Sequence, residues 1–300
     1  MNWIAALQNA IDYIEDHLTE EIDYECAARA AMSSSHHFQR VFHILIGCTA
    51  GEYIRNRRLT LAGAELAEGA KVIDTALRYG YENPDSFARA FARFHGFLPS
   101  QAKENGRMLK SYSRLSLEFQ MKGGTVMEYR LEEKEAFTLV GYKRRFTGTA
   151  AKRLRQEHDF YVSTRFEQYL LQGLSGDCNT HYNVMTNFND DGYDYYISSR
   201  FEEYMLNHYE SEIGEEAARF ERIEVPAGLY LICETEHCQW PADEVGRVRR
   251  RAVTEWLPSL GYELDNRPEL SVNHWPRGLD WAAHRHERYV ELWLPVVKKA

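Results

Sequence analysis

Residues 74–99 read DTALRYGYENPDSFARAFARFHGFLP, and this stretch decides the fold of the first third of the chain. It opens on a short helix whose apolar positions Ile73, Ala76 and Leu77 return at helical spacing. Tyr79-Gly80-Tyr81 then breaks the helix, because Gly80 can take the positive φ that a tight helix-ending turn demands. Asn83 is a good cap for a second helix, and Pro84 suits its first position, where a missing N–H costs nothing. That second helix sets Phe87, Phe91 and Phe94 on one face and leaves Ser86, Arg89, Ala90 and Arg93 facing away. A helix, a glycine turn and a capped helix with a polar outer face make a helix-turn-helix, which places one helix in a DNA major groove.

The same pattern occurs about 50 residues earlier, where Ser34 or Ser35 can cap a helix over His36–Ile46 that Gly47 stops. Phe38, Val41, Phe42 and Leu45 face inward there, with His36, Gln39, Arg40 and His43 on the opposite side. SSHHFQRVFHILIGCTAGEYI (34–54) aligns by eye with NPDSFARAFARFHGFLPSQAK (83–103): cap, Phe, x, Arg, x, Phe, then Gly. Between the copies, Thr49–Glu68 suits a connecting helix through Tyr53, Ile54, Leu59, Ala62 and Leu66, with Arg55, Arg57 and Arg58 clustered on it. About 20 helical residues span roughly 30 Å. That is close to one turn of DNA, about 34 Å, so both recognition helices can enter successive major-groove segments on one face. Ahead of them, Ile4, Leu7, Ile11, Ile14 and Leu18 mark a first amphipathic helix, and residues 22–31 a short second one.

A net charge of −9 reads poorly for a DNA binder until it is divided along the chain. Residues 1–25 carry seven acids and no Lys or Arg, and residues 26–110 carry twelve Lys/Arg against seven acids, a local balance of +5. The remainder stands at −7. Phosphate neutralisation is local, and the basic segment is the one carrying the two motifs. There is no run of 18 apolar residues to span a membrane, and the acidic amphipathic N-terminus is unlike a secretory signal. Five scattered cysteines, an odd number, fit a reduced, cytoplasmic protein.

With these motifs placed, residues 1–106 resemble the AraC/XylS-type DNA-binding domain, an all-α double helix-turn-helix of about seven helices. ALRYGYENPDSFARAFARFHGFLPSQAK matches the family signature nearly throughout; the first copy is looser, with Ala50 where the family often has proline. By matching positions, the resemblance implies base contacts from His36, Gln39 and Arg40 in the first recognition helix and from Asp85, Ser86 and Arg89 in the second. The chemistry agrees: arginine can donate a bidentate pair to guanine, and glutamine can do the same for adenine. Asp85 also favours the helix dipole, a purely structural role.

Residues 107–125 lose periodicity, carry Gly123-Gly124 near their end and read as a linker. From Val126 onward strands alternate: VMEYRL, FTLVGYKRRF, a helix over about His158–Leu171, YNVMTNF and YDYYISSRF. A similar order repeats in ARFERIEVP, GLYLICETE, a helix over Ala242–Leu260, ELSVNHW and RYVELWLPVV. Two strand-strand-helix-strand-strand repeats imply a pseudo-symmetric α+β domain over 126–300, with helices on one antiparallel sheet. Val126–Tyr142, FERIEVPAGLYLICE and the terminal YVELWLPV resemble the GyrI-like effector-binding domain of Rob-like regulators. That resemblance implies a pocket for bulky aromatic or cationic compounds, with an acidic residue near the end of the last strand, here Glu291.

The residues support such a pocket on their own. Five of six tryptophans (240, 256, 275, 281, 293) and 14 of 19 tyrosines lie beyond residue 110, and aromatic faces with a carboxylate hold an organic cation. Glu291 and Trp293 share one side of their strand, Leu292 and Leu294 the other; Trp275 and Tyr230 complete the candidate ligand set. A salt bridge to a nearby arginine is the competing role for Glu291. CETEHC (233–238) fits no standard zinc spacing, His284 and His286 make at most a poor metal pair, and no phosphate-cradling glycine loop is present. Neither cofactor nor metal is expected. The reading is a non-enzymatic transcription regulator whose partners are double-stranded DNA, a small-molecule effector and RNA polymerase, with no membrane. The alternative is a GyrI-like small-molecule hydrolase or sequestering protein in which the DNA reader is secondary.

Overall fold

The computed structural model describes residues 3–104, 106–117, 128–148, 150–189, 191–214, 219–276 and 284–299. Trp281, the opening residues 126–127 of the first expected strand and residues 118–125 of the expected linker lie outside them. The chain divides into two compact units, one built on Met1–His43 and Cys48–Lys122, the other on Gly123–Ala300 with Ile44–Gly47.

The N-terminal unit holds α1 (Trp3–Asp16), α2 (Tyr24–Ala30), α3 (Ser35–Ile46), α4 (Ala50–Ala67), α5 (Val72–Arg78) and α6 (Pro84–His95), then a 3-10 turn over Pro99–Gln101. Their ends are set by capping chemistry. Thr49 accepts from the Glu52 N–H at 3.1 Å while the Glu52 carboxylate accepts from the Thr49 N–H at 3.0 Å, which starts α4. Asn83 accepts from the Asp85 N–H at 2.8 Å, and Pro84 takes the first position of α6. Gly80 adopts φ 78°, and the Tyr81 N–H reaches back to the Ala76 carbonyl at 2.9 Å to close α5. A side chain at Gly80 would also strike the Arg58 guanidinium at 2.7 Å. Arg58 is needed there, since it donates to the Leu18 and Glu20 carbonyls beyond the end of α1.

Phe87 and Phe91 are fully buried with Leu59, Ala62 and Leu66 of α4 and Ala76 and Tyr79 from the α5 turn. The expected inward face of α5 is corrected in part. Ile73 and Leu77 are 60% and 59% exposed, whereas Thr75 and Ala76 are buried, because a seven-residue helix covers only the side that meets α4 and α6. Arg57 is likewise a structural residue, paired with Glu15 at 2.8 Å beside the Tyr53 hydroxyl; Arg55 is exposed.

Described residues 107–117 have no helix or strand of their own, yet they are pinned across this unit by side chains. The N–H groups of Lys110, Tyr112, Leu115 and Leu117 donate to His95 Nδ1, Thr60 Oγ1, the Tyr53 hydroxyl and Gln8 Oε1. Side chains of the unit thus satisfy backbone donors that would otherwise be left to water. His95 accepts from Lys110 at Nδ1, so its Nε2–H donates to the Leu59 carbonyl at 3.0 Å. Burial holds this imidazole neutral by lowering its pKa. The ring fits because Gly63 of α4 has no side chain; a Cβ there would stand 2.8 Å from it.

The C-terminal unit is one nine-stranded antiparallel sheet with helices. Its elements are β1 (Tyr129–Lys134), β2 (Phe137–Thr147), α7 (Ala150–Ser163), α8 (Arg165–Ser175), β3 (Thr180–Asn189), β4 (Gly192–Ser199), α9 (Glu203–Ile213), β5 (Glu221–Val225), β6 (Gly228–Glu234), α10 (Val245–Arg251), α11 (Leu257–Leu260), β7 (Tyr262–Leu264), β8 (Glu269–His274) and β9 (Tyr289–Lys298). The strand order is β1-β6-β9-β8-β3-β4-β2-β5, with β7 on β9. Exchanging β1 with β5, β2 with β6, β3 with β8 and β4 with β9 maps this order onto itself. A pseudo-twofold therefore passes between β3 and β8, and each repeat lends its first strand to the other.

Both expected helices are interrupted. The first becomes α7 and α8, separated by Thr164, whose hydroxyl bonds back to the Phe160 carbonyl at 2.7 Å. The second becomes α10, a π-turn over Ala252–Trp256 and α11. Pro258 supplies no N–H and crowds the carbonyl four residues back, which widens that turn. Helix α9 and strand β7 have no counterpart in the expected order.

Candidate functional site

Of the candidate base-contacting residues, α6 presents Asp85 and Arg89 exposed and Ser86 half-buried, with the Arg89 guanidinium 3.4 Å from the Ser86 hydroxyl. On α3, His36 is exposed and Gln39 half-buried, held 3.3 Å from Ser35 Oγ. Arg40 is different: it is 3% exposed. The outward placement expected for it is corrected, since the helical wheel turns it away from Phe38 and Phe42 and the structure nonetheless covers it. Helix α4 has 18 residues, a length of about 27 Å at the usual rise.

In the C-terminal unit the sheet has two unlike faces. Tyr230, Glu291 and Trp293 fall together on the face away from α7 and α8, in the cluster formed by Leu139, Val184, Ile232 and Val272. Trp275 lies elsewhere: half-buried past the end of β8, with Arg288 5.2 Å from its ring centre. The Glu291 carboxylate already has partners. Arg130 donates to it at 2.6 Å and the Trp293 indole N–H at 2.7 Å, with His274 3.8 Å away. Burial alone would raise its pKa, but His274, Arg130 and Trp293 together hold it down to about 2. Tyr230 is fully buried and donates to the Pro268 carbonyl at 3.4 Å, and Trp293 is roofed by the Lys134 ammonium at 4.3 Å. The competing role, a salt bridge to arginine, is the one the geometry displays.

The helix-covered face carries a second polar group that the sequence reading missed. Along the pseudo-twofold seam, Asn183 and Met185 of β3 lie beside Ser271 and Glu269 of β8. Glu157 and Tyr161 from α7 and Arg249 from α10 come down on them. Arg249 bonds Glu269 at 2.5 Å and touches Met185 Sδ at 3.6 Å. Glu157 receives a hydrogen bond from the Tyr195 hydroxyl at 3.2 Å, and Tyr195 meets the Tyr161 hydroxyl at 3.2 Å. Tyr193, Phe146 and Phe160 wall this group. Burial pushes the Glu157 pKa up, opposed by Tyr195 and more weakly by Arg249. Its carboxylate is half-buried, and among the described residues no Lys or Arg bonds it directly. The only sequence signal was an acid and a tyrosine at i and i+4 on a helix otherwise rich in surface charge.

Other chemistry-bearing residues are quiet. All five cysteines are free, and burial pushes the Cys233 thiol up to about 12. His284 and Glu287 form an exposed pair at 2.9 Å. No helix among the described residues is long and apolar enough to cross a membrane.

A paired helix-turn-helix joined to a pseudo-symmetric sheet domain defines a class: a DNA-binding transcription regulator with a C-terminal effector-binding domain. The chain belongs to the integron-associated effector binding protein family, whose model matches residues 130–296, and a helix-turn-helix domain model matches residues 26–105. It is thus an AraC-type reader with a GyrI-like effector domain. Among relatives, the probable transcription factor PqrA of Proteus vulgaris is 33% identical over 115 residues, covering 37% of this chain and 94% of that protein. Regulatory protein SoxS of Salmonella typhimurium is 34% identical over 95 residues, covering 31% and 89%. An integron cassette protein from the mobile metagenome of Vibrio cholerae is 15% identical with a TM-score of 0.36, covering 56% of this chain and 95% of that one.

Proposed function

We propose that α3 and α6 read two half-sites on one face of a promoter, and that an aromatic organic cation binding the β3–β8 seam changes promoter occupancy. His36, Gln39, Asp85, Ser86 and Arg89 are the base-contacting set; Arg40 joins them only once uncovered. One observation carries the ligand class. Glu157 is a half-buried residue among tyrosines whose pKa burial raises against the opposing pull of Tyr195 and Arg249, and among the described residues no Lys or Arg bonds it directly. A cationic ligand would supply that missing charge, with Tyr161, Tyr193 and Tyr195 offering ring faces. Glu291 is assigned to structure and not to the ligand. Polymerase is part of the same proposal, with Ile73 and Leu77, exposed at i and i+4 on α5, as the apolar contact.

Two measurements test this. Gel-shift titration against the region upstream of its own reading frame should show Arg89→Ala weakening binding by about 1–3 kcal/mol if Arg89 reads a base; unchanged affinity removes it. Calorimetry with benzyltrimethylammonium should show heat of binding for the whole chain, absent in Glu157→Gln. A second reading draws on the same atoms. A carboxyl with a raised pKa bonded to a tyrosine can act as a general acid, as a ligand-hydrolysing domain requires. That reading demands product on incubation with a strained-ring substrate, and pure binding without turnover rejects it.

A further inference from the structure

A third site lies at one end of the sheet, away from the seam. Strand β4 stops at Ser199, paired with Val140 of β2, while β2 runs on to Phe137 and β3 to Thr180. The sheet therefore has a notch between β2 and β3. It opens into a cavity of about 270 Å³ lined by Thr138, Asp177, Thr180, Ser199, Arg200 and Glu202, among others.

Most polar groups around it are already engaged. Asp177 accepts from the Asn179 N–H at 2.7 Å, and its pKa is lowered against the effect of burial by Thr180 and backbone donors. The Thr138 hydroxyl donates to Glu224, and Ser175 is tied to the Asp177 backbone. Two donors keep spare capacity among the described residues. Ser199 is 1% exposed and its hydroxyl has no hydrogen-bond partner among the described residues. Among the described residues Arg200 donates only through Nε, to the Tyr182 hydroxyl at 3.3 Å, and its guanidinium carbon lies 4.4 Å from the Phe137 ring centre.

Comparison with its neighbours shows how unusual Arg200 is. Lys134, Arg267 and Lys143 also roof rings of this face, over Trp293, Tyr230 and Tyr196. Each has its own carboxylate: Glu132, Asp265 and Glu221 respectively. Arg200 has none among the described residues. A guanidinium fixed by stacking and by Nε leaves its two terminal nitrogens as a fork of the geometry that a carboxylate fills.

We propose that this notch is a ligand site for a small organic monocarboxylate, its acid group on the Arg200 fork and a polar substituent on Ser199. The ligand is small because the cavity sits at the lower end of ligand-pocket volumes. It carries a single negative charge because Asp177 and Glu202 line the same space and repel polyanions. Tyr182 and Phe201, also in the lining, receive its apolar part.

The test is calorimetry on the full chain with benzoate as probe, inorganic phosphate and citrate being run beside it. Benzoate binds, phosphate and citrate do not, and Arg200→Gln weakens benzoate about tenfold or more. Ser199→Ala weakens it severalfold and decides the matter if Arg200→Gln fails to fold, as judged by circular dichroism. Glu157→Gln leaves benzoate affinity unchanged, which separates this site from the seam. Absence of benzoate binding, tighter binding of phosphate or citrate, or affinity indifferent to Arg200 and Ser199 would each overturn the proposal.

Discussion

The two faces of the C-terminal sheet hold the same ingredients, a carboxylate among aromatic rings, in opposite electrostatic states. On one face Glu291 is bonded by Arg130 and Trp293, and its pKa is driven down to about 2. On the other, Glu157 has a tyrosine hydroxyl for company and its pKa is driven up. Aromatic composition alone cannot distinguish them. What distinguishes a site from a strut is whether the chain has already supplied the counter-charge, because a paired carboxylate would have to give up its partner to bind anything else.

Four experiments probe that contrast. The largest effect is expected from Glu157→Gln, which should weaken benzyltrimethylammonium by about 2–5 kcal/mol, as loss of a partly desolvated charge contact does, while leaving the melting temperature nearly unchanged. Glu291→Gln should do the reverse. Calorimetric cation affinity stays put, and chemical denaturation shows a loss of about 1–3 kcal/mol as Arg130 and Trp293 lose their acceptor. Equal behaviour of the two variants would erase the distinction.

The pH dependence should separate them next. Glu291 has a folded pKa below its ordinary 4.5, so its stabilisation is complete above pH 4.5 and is lost as pH falls towards 2. Glu157 has a folded pKa above 4.5, so cation affinity should begin to fall at higher pH than the Glu291 stabilisation does, as the carboxylate takes up its proton. Coincident titrations by calorimetry and denaturation would contradict this. The smallest effect is that of Lys134→Met, which removes the ammonium over Trp293. Thermal unfolding should register about 0.5–1 kcal/mol and no change in cation binding.

Much of the N-terminal unit was legible because its determinants are local. Gly80, Asn83 and Pro84 announce a turn and a cap within five residues, and Phe87 and Phe91 announce the buried face. Local reading failed where neighbours in space decide. Ile73 and Leu77 look inward by periodicity, but no element among the described residues covers them. The stretch after residue 106 looks like free linker, yet Thr60, Tyr53 and Gln8, far back in the chain, bind its backbone. Strand alternation correctly put Glu291 beside Trp293. Its actual partner, Arg130, is 161 positions away, and no spacing rule reaches that far. Glu157 was invisible for the opposite reason: on α7 it is one acid among many charges, and only strand β4, arriving with Tyr195, makes it different.

The exchange of β1 and β5 between repeats has a consequence for how the effector domain can be cut. Among the described residues strand β1 pairs only with β6, and β5 only with β2. A single repeat therefore carries its own first strand with no place for it, and an open slot beside its second. Two identical copies of one repeat could fill each other's slots, giving an interlocked dimer of half-length chains. Expressed alone, residues 128–199 should run as a dimer in size-exclusion chromatography.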